Sequence, residues 1–349
     1  DWVVGLSVLA PSGHILSASY DGKARVWASM GSSQKDAGAG KEALTVLSGH
    51  FDAVTCCAWA SEGSDATVAL TGSKDFSLRS WGIVSKKGSA DAKSLSVAPI
   101  FQYSGHEGSV QAVAAERATF CSASWDKTLK VWQLPSEAEV ANAMSSVGAA
   151  SSEPKGKKSQ KTEAKDASAV KERGCLCTLI GHTQAVTGAA WGREGEVFSG
   201  GWDNSVRGWD VETQQCTTSL NAGHAVNGVA VSGNNLIASA HSDRLVRVWD
   251  PRQSDGSLVR SSLTSHKGWV NAVAWSRNNE HHLISASHDH TVKLWDVRSS
   301  IPLHTLAAHE GKALAVTFGY EGEFYSGGTD GKISCFKLGS ELSDQAPAA

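Results

Sequence analysis

SASWDKTLKVW, residues Ser122 to Trp132, places a hydroxyl, an aspartate four residues on and an indole six residues beyond that, and six other stretches repeat the pattern in register. These are SASYDGKARVW from Ser17, TGSKDFSLRSW from Thr71, SGGWDNSVRGW from Ser199, SAHSDRLVRVW from Ser239, SASHDHTVKLW from Ser285 and SGGTDGKISCF from Ser326. The ring is Trp27, Trp81, Trp132, Trp209, Trp249 or Trp295, and Phe336 in the last copy. Self-similarity of this kind specifies stacked equivalent units, each too small to bury its own apolar face. The chain is read as a repeat scaffold and not as a single-site enzyme fold.

A histidine precedes six of the seven aspartates: His50, His106, His182, His224, His266 and His309, four of them in Gly-His pairs. The first copy begins too late to show one. In each repeat the aspartate can accept from the imidazole, the imidazole can engage the hydroxyl, and the hydroxyl can accept from the indole N–H, so buried polar groups satisfy one another. The expected clamps are His50, Thr71, Asp75 and Trp81; His106, Ser122, Asp126 and Trp132; His182, Ser199, Asp203 and Trp209; His224, Ser239, Asp243 and Trp249; His266, Ser285, Asp289 and Trp295; and His309, Ser326 and Asp330. A Ser-His-Asp set invites a catalytic reading, but one recurring in every repeat with a tryptophan attached is read as structural. The last clamp must differ, because Phe336 has no N–H to donate.

This pattern resembles the WD40 repeat. The resemblance implies an all-β fold, a seven-bladed WD40 β-propeller with four-stranded antiparallel blades, spanning residues 1–338 and followed by a C-terminal tail at 339–349.

Length and composition agree with one large β domain. Seven repeats of about 40–50 residues account for nearly all of the 349-residue chain and leave no room for a second folded domain. A formal charge of −3 supplies no global basic field for nucleic acid. Seven cysteines scattered through strand patterns suit buried thiols in a reducing compartment rather than a disulfide framework. Neither a signal peptide nor an 18-residue apolar run is present, so no membrane partner is expected. Because the chain begins at Asp1, the strand that closes the ring is expected upstream of it, leaving blade seven with a bare edge that the residues from Lys337 to Ala349 only partly cover.

The spacing locates insertions. Trp209 and Trp249 are 40 residues apart but Trp132 and Trp209 are 77, which assigns about 35 extra residues to the segment Pro135–Arg173. That segment lacks aromatics, Leu and Ile, so it is expected to be a disordered loop without a helix. Its basic stretch EPKGKKSQK, Glu153 to Lys161, reads as a nuclear-import signal, a phosphate contact or a solvated loop. Shorter polar loops are expected at Ala28–Glu42 and Gly82–Ala98, on the same face.

The opposite face holds the candidate site. Residues just after each His and just before each Asp should surround one rim of the central channel. The residues preceding the aspartates are Tyr20, Lys74, Trp125, Trp202, Ser242, His288 and Thr329. Trp269 follows His266 by three residues, and aligning DWV at Asp1 with GWV at Gly268 gives Trp2 the same position. Of 13 tryptophans, six are clamp rings, and Trp59, Trp191 and Trp275 fall where the innermost strand needs bulk, which leaves Trp2, Trp125, Trp202 and Trp269. Trp2, Tyr20, Lys74, Trp125, Trp202, Trp269 and His288 are therefore the expected partner-binding residues, since aromatic anchors supply much of the energy of protein interfaces. Asp52, Glu107 and Lys267 add mixed charge. His281, His282, His288 and His290 lack ligand geometry for a metal, and no cofactor is expected.

A narrower resemblance rests on LTSHKGWVNAVAWS at Leu263, WDPRQSDGSLV at Trp249, SASWD and SGGWD at Ser122 and Ser199, LAAHEGKALAVTF at Leu306 and YSGGTDGK at Tyr325. These stretches look like the WD-repeat subunit of the pescadillo and block-of-proliferation complex. The resemblance implies a non-catalytic scaffold, nuclear and nucleolar (also nucleoplasmic), in maturation of the large (60S) ribosomal subunit and rRNA processing. It implies binding to the C-terminal propeller of the block-of-proliferation homologue, with the pescadillo homologue as third member, on a preribosomal particle. The family's N-terminal ubiquitin-like domain, which engages the midasin AAA ATPase, is not in this sequence. The alternative is a peptide-reading adaptor such as a ubiquitin-ligase substrate receptor, for which the rim has few cations. Direct RNA contact through stacking on the exposed tryptophans is a third reading.

Overall fold

The computed structural model describes residues 1–10, 12–28, 42–60, 66–85, 95–149, 170–193, 195–252, 259–320 and 322–338. The chain folds into seven antiparallel meanders in which consecutive strands pair as neighbours. Blade three is representative, with strands Val110–Glu116, Thr119–Ser124, Thr128–Gln133 and Cys177–Ile180 running from the channel outward. The innermost strands of the other blades are Val3–Val8, Val54–Trp59, Val186–Trp191, Val226–Val231, Val270–Trp275 and Ala313–Phe318. The seventh sheet has three strands among the described residues. Of the segment from Lys337 to Ala349, where a partial substitute for a fourth strand was expected, Lys337 ends the third strand and residues 339–349 lie outside the described ones.

The residue after each clamp hydroxyl is Ala or Gly: Ala18, Gly72, Ala123, Gly200, Ala240, Ala286 or Gly327. Packing explains this restriction. A Cβ on Gly72 would stand 2.8 Å from Val110 Cγ1 of the next blade, and one on Gly327 2.5 Å from Val3 Cγ1. Only a hydrogen or a methyl fits where a neighbour's inner strand presses on the second strand. Apolar clusters therefore run across the seams, and Leu70, Val110, Phe120 and Trp132 share one of them. The clamp rings Trp132, Trp209 and Trp295 are fully buried, each worth about 5 kcal/mol of transfer free energy for ~200 Å² of ring surface.

The insertion at 135–173 departs from expectation. A helix spans Glu137–Ala149, and Lys171–Arg173 adds a parallel strand beside Phe101–Tyr103 of blade two. Ser136 caps the helix in a capping box, its N–H and hydroxyl donating to Glu139 Oε2 at 2.8 and 2.9 Å. The buried Val140 and the partly buried Met144, one turn apart, press on Gly82, where a Cβ would meet them at 3.3 and 3.2 Å. Arg173 bonds Glu139 at 2.5 Å and lies over the Phe101 ring at 3.9 Å, fastening the return of the insertion to blade two. Expectation failed because two apolar contacts on a bare glycine, with a cap, hold a segment whose composition has no Leu or aromatic. Residues 150–169, including EPKGKKSQK, lie outside the described ones.

The loop expected at Gly82–Ala98 is also partly strand, since Leu78–Ser85 and Leu95–Tyr103 pair as far as Ser85 and Leu95, with Ile83 and Ala98 buried, and residues 86–94 lie outside the described ones. No helix among the described residues is long and apolar enough to cross a membrane.

Candidate functional site

The clamps orient the loops that carry the candidate site. An indole N–H only donates, so Trp132 Nε1 donates to Ser122 Oγ (2.8 Å), whose proton is then directed to His106 Nε2 (2.7 Å). His106 Nδ1 thus carries the remaining proton and donates it to Asp126 (2.6 Å). The same chain runs through Trp81, Thr71, His50 and Asp75, through Trp209, Ser199, His182 and Asp203, and through Trp295, Ser285, His266 and Asp289. In blade seven His309 bonds Ser326 at 2.8 Å and Asp330 at 3.0 Å, while Phe336 stacks on Phe324 with centroids 5.2 Å apart. Burial alone would raise the Asp75, Asp126 and Asp289 carboxyls. Hydrogen bonds from the imidazole and from Ser77, Thr128 or Thr291 outweigh it and hold all three far below the ordinary range. The clamp hydroxyls of Thr71, Ser122, Ser199 and Ser285 are fully buried, and each is already bonded to an indole and an imidazole.

Blade five corrects the expected clamp. His224 is exposed and 3.9 Å from Asp243. Its turn reaches Val226 in two residues, where His182 needs four to reach Val186, so the imidazole falls at the loop tip. His241, fully buried two residues beyond Ser239 on the same strand, takes the bond to Ser239 instead (2.7 Å), and Trp249 donates to the same hydroxyl (2.6 Å). Asp243 is held by Arg247 at 2.6 Å. Blade one shows the same exchange without a histidine, with Asp21 paired to Arg25 at 2.6 Å and Trp27 donating to Ser17 at 2.9 Å. The cation two residues before the ring thus neutralises the aspartate where no imidazole reaches it. The signal in the sequence was the shortened turn together with the histidine in AHSD, where other repeats carry Ser or Gly.

In the five blades with a His–Asp bond the aspartate, Asp75, Asp126, Asp203, Asp289 or Asp330, also accepts the backbone N–H following the histidine, from Phe51, Glu107, Thr183, Lys267 and Glu310, at 2.8–3.2 Å. The two turns at one end of these five blades are thereby tied together. A second tie recurs seven times, with Tyr20, Lys74, Trp125, Trp202, Ser242, His288 and Thr329 N–H donating to the carbonyls of Trp2, Ala53, Ser109, Ala185, Ala225, Trp269 and Lys312. Trp2 and Trp269 hold equivalent positions, and all seven expected partner-binding residues stand on one rim.

Three arcs result. Lys74 Nζ lies 4.2 Å over Tyr20, whose ring is 5.3 Å from Trp2. Trp125 and Trp202, on neighbouring blades, are 5.9 Å apart, and Trp269 stacks on His288 at 5.7 Å and 27°. Stacking leaves them open to solvent: Trp2, Trp125, Trp202 and Trp269 remain 46, 47, 44 and 55 % exposed. The mouth they surround holds about 590 Å³, and its lining includes Trp2, Tyr20, Trp202 and His288. Just below, Thr187, Asn227 and Asn271 bond the next blade's inner strand at Val226, Val270 and Leu314 (2.5–2.8 Å), a polar collar that ties the blades around the channel.

Sequence reasoning missed four residues of this face. Phe51 is 90 % exposed and Phe76 half-exposed, both at turn positions that are mostly polar in other blades. Arg244 and Lys312 also reach the rim. Lys312 is the blade-seven equivalent of Trp269, a placement that required the alignment of the His turns.

His281, His282, His288 and His290 do not gather: among the described residues no group of three or more His, Cys, Asp or Glu is arranged to hold a metal ion. Of the seven thiols, Cys56, Cys57 and Cys121 are buried, and burial pushes Cys56 and Cys121 up to about 12.

The family model described as WD domain, G-beta repeat matches residues 1–28, 41–82, 97–133, 173–210, 214–250, 256–296 and 300–337. The ribosome biogenesis protein WDR12 homolog of Nematostella vectensis is 36 % identical over 339 residues, 95 % of this chain and 74 % of that protein. Its counterpart in Ixodes scapularis is 36 % identical over 341 residues (97 % and 74 %), and that of Arabidopsis thaliana 33 % over 338 (95 % and 72 %). With seven matching repeats and relatives of this similarity along nearly its whole length, the chain belongs to the WD40 family and, within it, to the family of ribosome biogenesis protein WDR12 homologues.

Proposed function

We propose that this propeller is a non-catalytic interaction scaffold in ribosome biogenesis, acting in the nucleolus as a subunit of an assembly-factor complex for the large ribosomal subunit. Its partner on this reading is the C-terminal propeller of the block-of-proliferation homologue, with the pescadillo homologue as third member. Engagement of the midasin ATPase would run through the family's ubiquitin-like domain. Family membership supports the process. The observation that carries the mode of action is the convergence of four half-exposed tryptophans on one rim. Rings so placed add little to the core and offer ~100 Å² or more each to a partner. A net charge of −3 argues against a rim built for RNA backbone.

The test is co-purification with the partner propeller followed by size-exclusion chromatography. A one-to-one complex is expected, with Trp125→Ala/Trp202→Ala weakening it at least tenfold, about the effect of one interface hot spot, while the unfolding temperature stays within about 2 °C. Full affinity in that variant would remove the rim from the interface.

A further inference from the structure

One sector of the rim differs in charge from the rest. Arg244 of blade five, Lys267 and Trp269 of blade six, and Lys312 of blade seven converge with His288 around a depression of about 370 Å³. All three cations are exposed. The carboxylates on the same loops are engaged elsewhere. Asp289 accepts from His266 and the Lys267 N–H, Asp243 is paired with Arg247, and Glu310 is paired with Lys332 at 3.1 Å. Among the described residues, no carboxylate pairs with the side chains of Arg244, Lys267 or Lys312. Burial, and then the charge of Lys312, push His288 below its ordinary value, so its ring is neutral near pH 7 and stacks on Trp269 as an apolar wall.

Three cations around one small depression, beside a stacked aromatic pair, match a single anionic side chain with an apolar neighbour. They do not match a nucleic-acid backbone, which needs positive charge along an extended track. Elsewhere the rim carries Asp52, Glu107 and the tryptophan arcs. We propose that this pocket receives a glutamate or aspartate side chain of a protein partner, borne on a segment whose adjacent aromatic or apolar residue packs on Trp269. The proposal rests on the rim being a protein-binding surface, and it corrects the expectation that the rim has too few cations to read an acidic segment.

Arg244 allows a clean test. It has φ 73, and Gly22 and Gly331 occupy the same turn position at φ 78 and 72, so Arg244→Gly removes the guanidinium without disturbing the backbone. The probe is a fluorescein-labelled peptide of glutamate, phenylalanine and glycine, with a glutamine-for-glutamate version and an oligouridylate as comparisons, read by fluorescence polarisation at moderate salt. The acidic peptide should bind and its glutamine version bind at least tenfold more weakly. Arg244→Gly, Lys267→Gln and Lys312→Gln should each cost about threefold to fivefold, the range of single exposed charge pairs, and their combination at least tenfold. Equal binding of the two peptides, unchanged binding by the triple variant, or absence of binding would overturn the pocket. Tighter binding of oligouridylate than of the acidic peptide would replace it with a nucleic-acid site. The two readings separate: peptide binding of the expected pattern without a complex in the co-purification leaves the pocket and removes the partner. A complex sensitive to Trp125→Ala/Trp202→Ala, with no peptide binding, removes the pocket alone.

Discussion

Blade five offers the sharpest test of the structural reasoning, because two histidines compete for one role. His241→Ala should destabilise the propeller and His224→Ala should not. Cutting a fully buried imidazole back to a methyl empties roughly 60 Å³, worth ~1.5 kcal/mol at ~24 cal/mol per Å³. Losing the bond to Ser239 Oγ adds about 1 kcal/mol. The sum, about 2–3 kcal/mol, corresponds to a fall in Tm of about 3–4 °C at ~2.1 cal/mol/K per residue. His224, exposed and 3.9 Å from Asp243, should cost under about 0.5 kcal/mol. Acid provides an independent check. Burial, and then the charge of Arg247, lower His241 from 6.5 to about 4. Between these values the unfolded chain binds the proton and the folded chain does not, so the stability His241 contributes is complete above pH 6.5 and is lost as pH falls toward 4. At pH 5 the loss is roughly 2 kcal/mol, which cancels most of the difference between wild type and His241→Ala. Urea unfolding of the three proteins at pH 7.5 and pH 5 reads both effects. The assignment fails if His224→Ala costs as much as His241→Ala, or if the gap does not narrow at pH 5.

Two further outcomes follow from packing. Gly72→Ala should cost about 1–3 kcal/mol by overpacking the seam against Val110 and Cys56, and adding Val110→Ala should recover part of it; strict additivity in a double-mutant cycle by urea unfolding would refute the close approach. Val140→Asp puts an unpaired charge into the buried face of the helix Glu137–Ala149, a penalty of several kcal/mol, so hydrogen exchange should show protection lost in 137–149 and kept in the blade-two strands. Retained protection in the helix would mean that it does not depend on this face.

The sequence by itself determined the repeat count, the blade order and nearly every clamp, because each depends on residues within one unit whose chemistry is complementary at short range. An indole that must donate, a hydroxyl that can relay and a carboxylate that must be satisfied leave few arrangements, and their recurrence removes the ambiguity of any single copy. The rim tryptophans were legible for a related reason: once the clamp positions are assigned, rings without a packing duty stand out by subtraction. What only the tertiary structure decided depends on the path of a turn or on contacts between units. His241 replaces His224 because a turn two residues shorter moves one imidazole out to solvent, and His241, two residues beyond Ser239 on the same strand, then reaches that hydroxyl. The helix at 137–149 exists because Gly82, far away in sequence, leaves a hollow that Val140 and Met144 fill. Arg244, Lys267 and Lys312 belong to three blades, and their shared pocket follows from the ring that sets those blades side by side. Local chemistry repeats and can be read from one chain segment, whereas a surface assembled from three segments acquires its character only when the propeller closes around the channel.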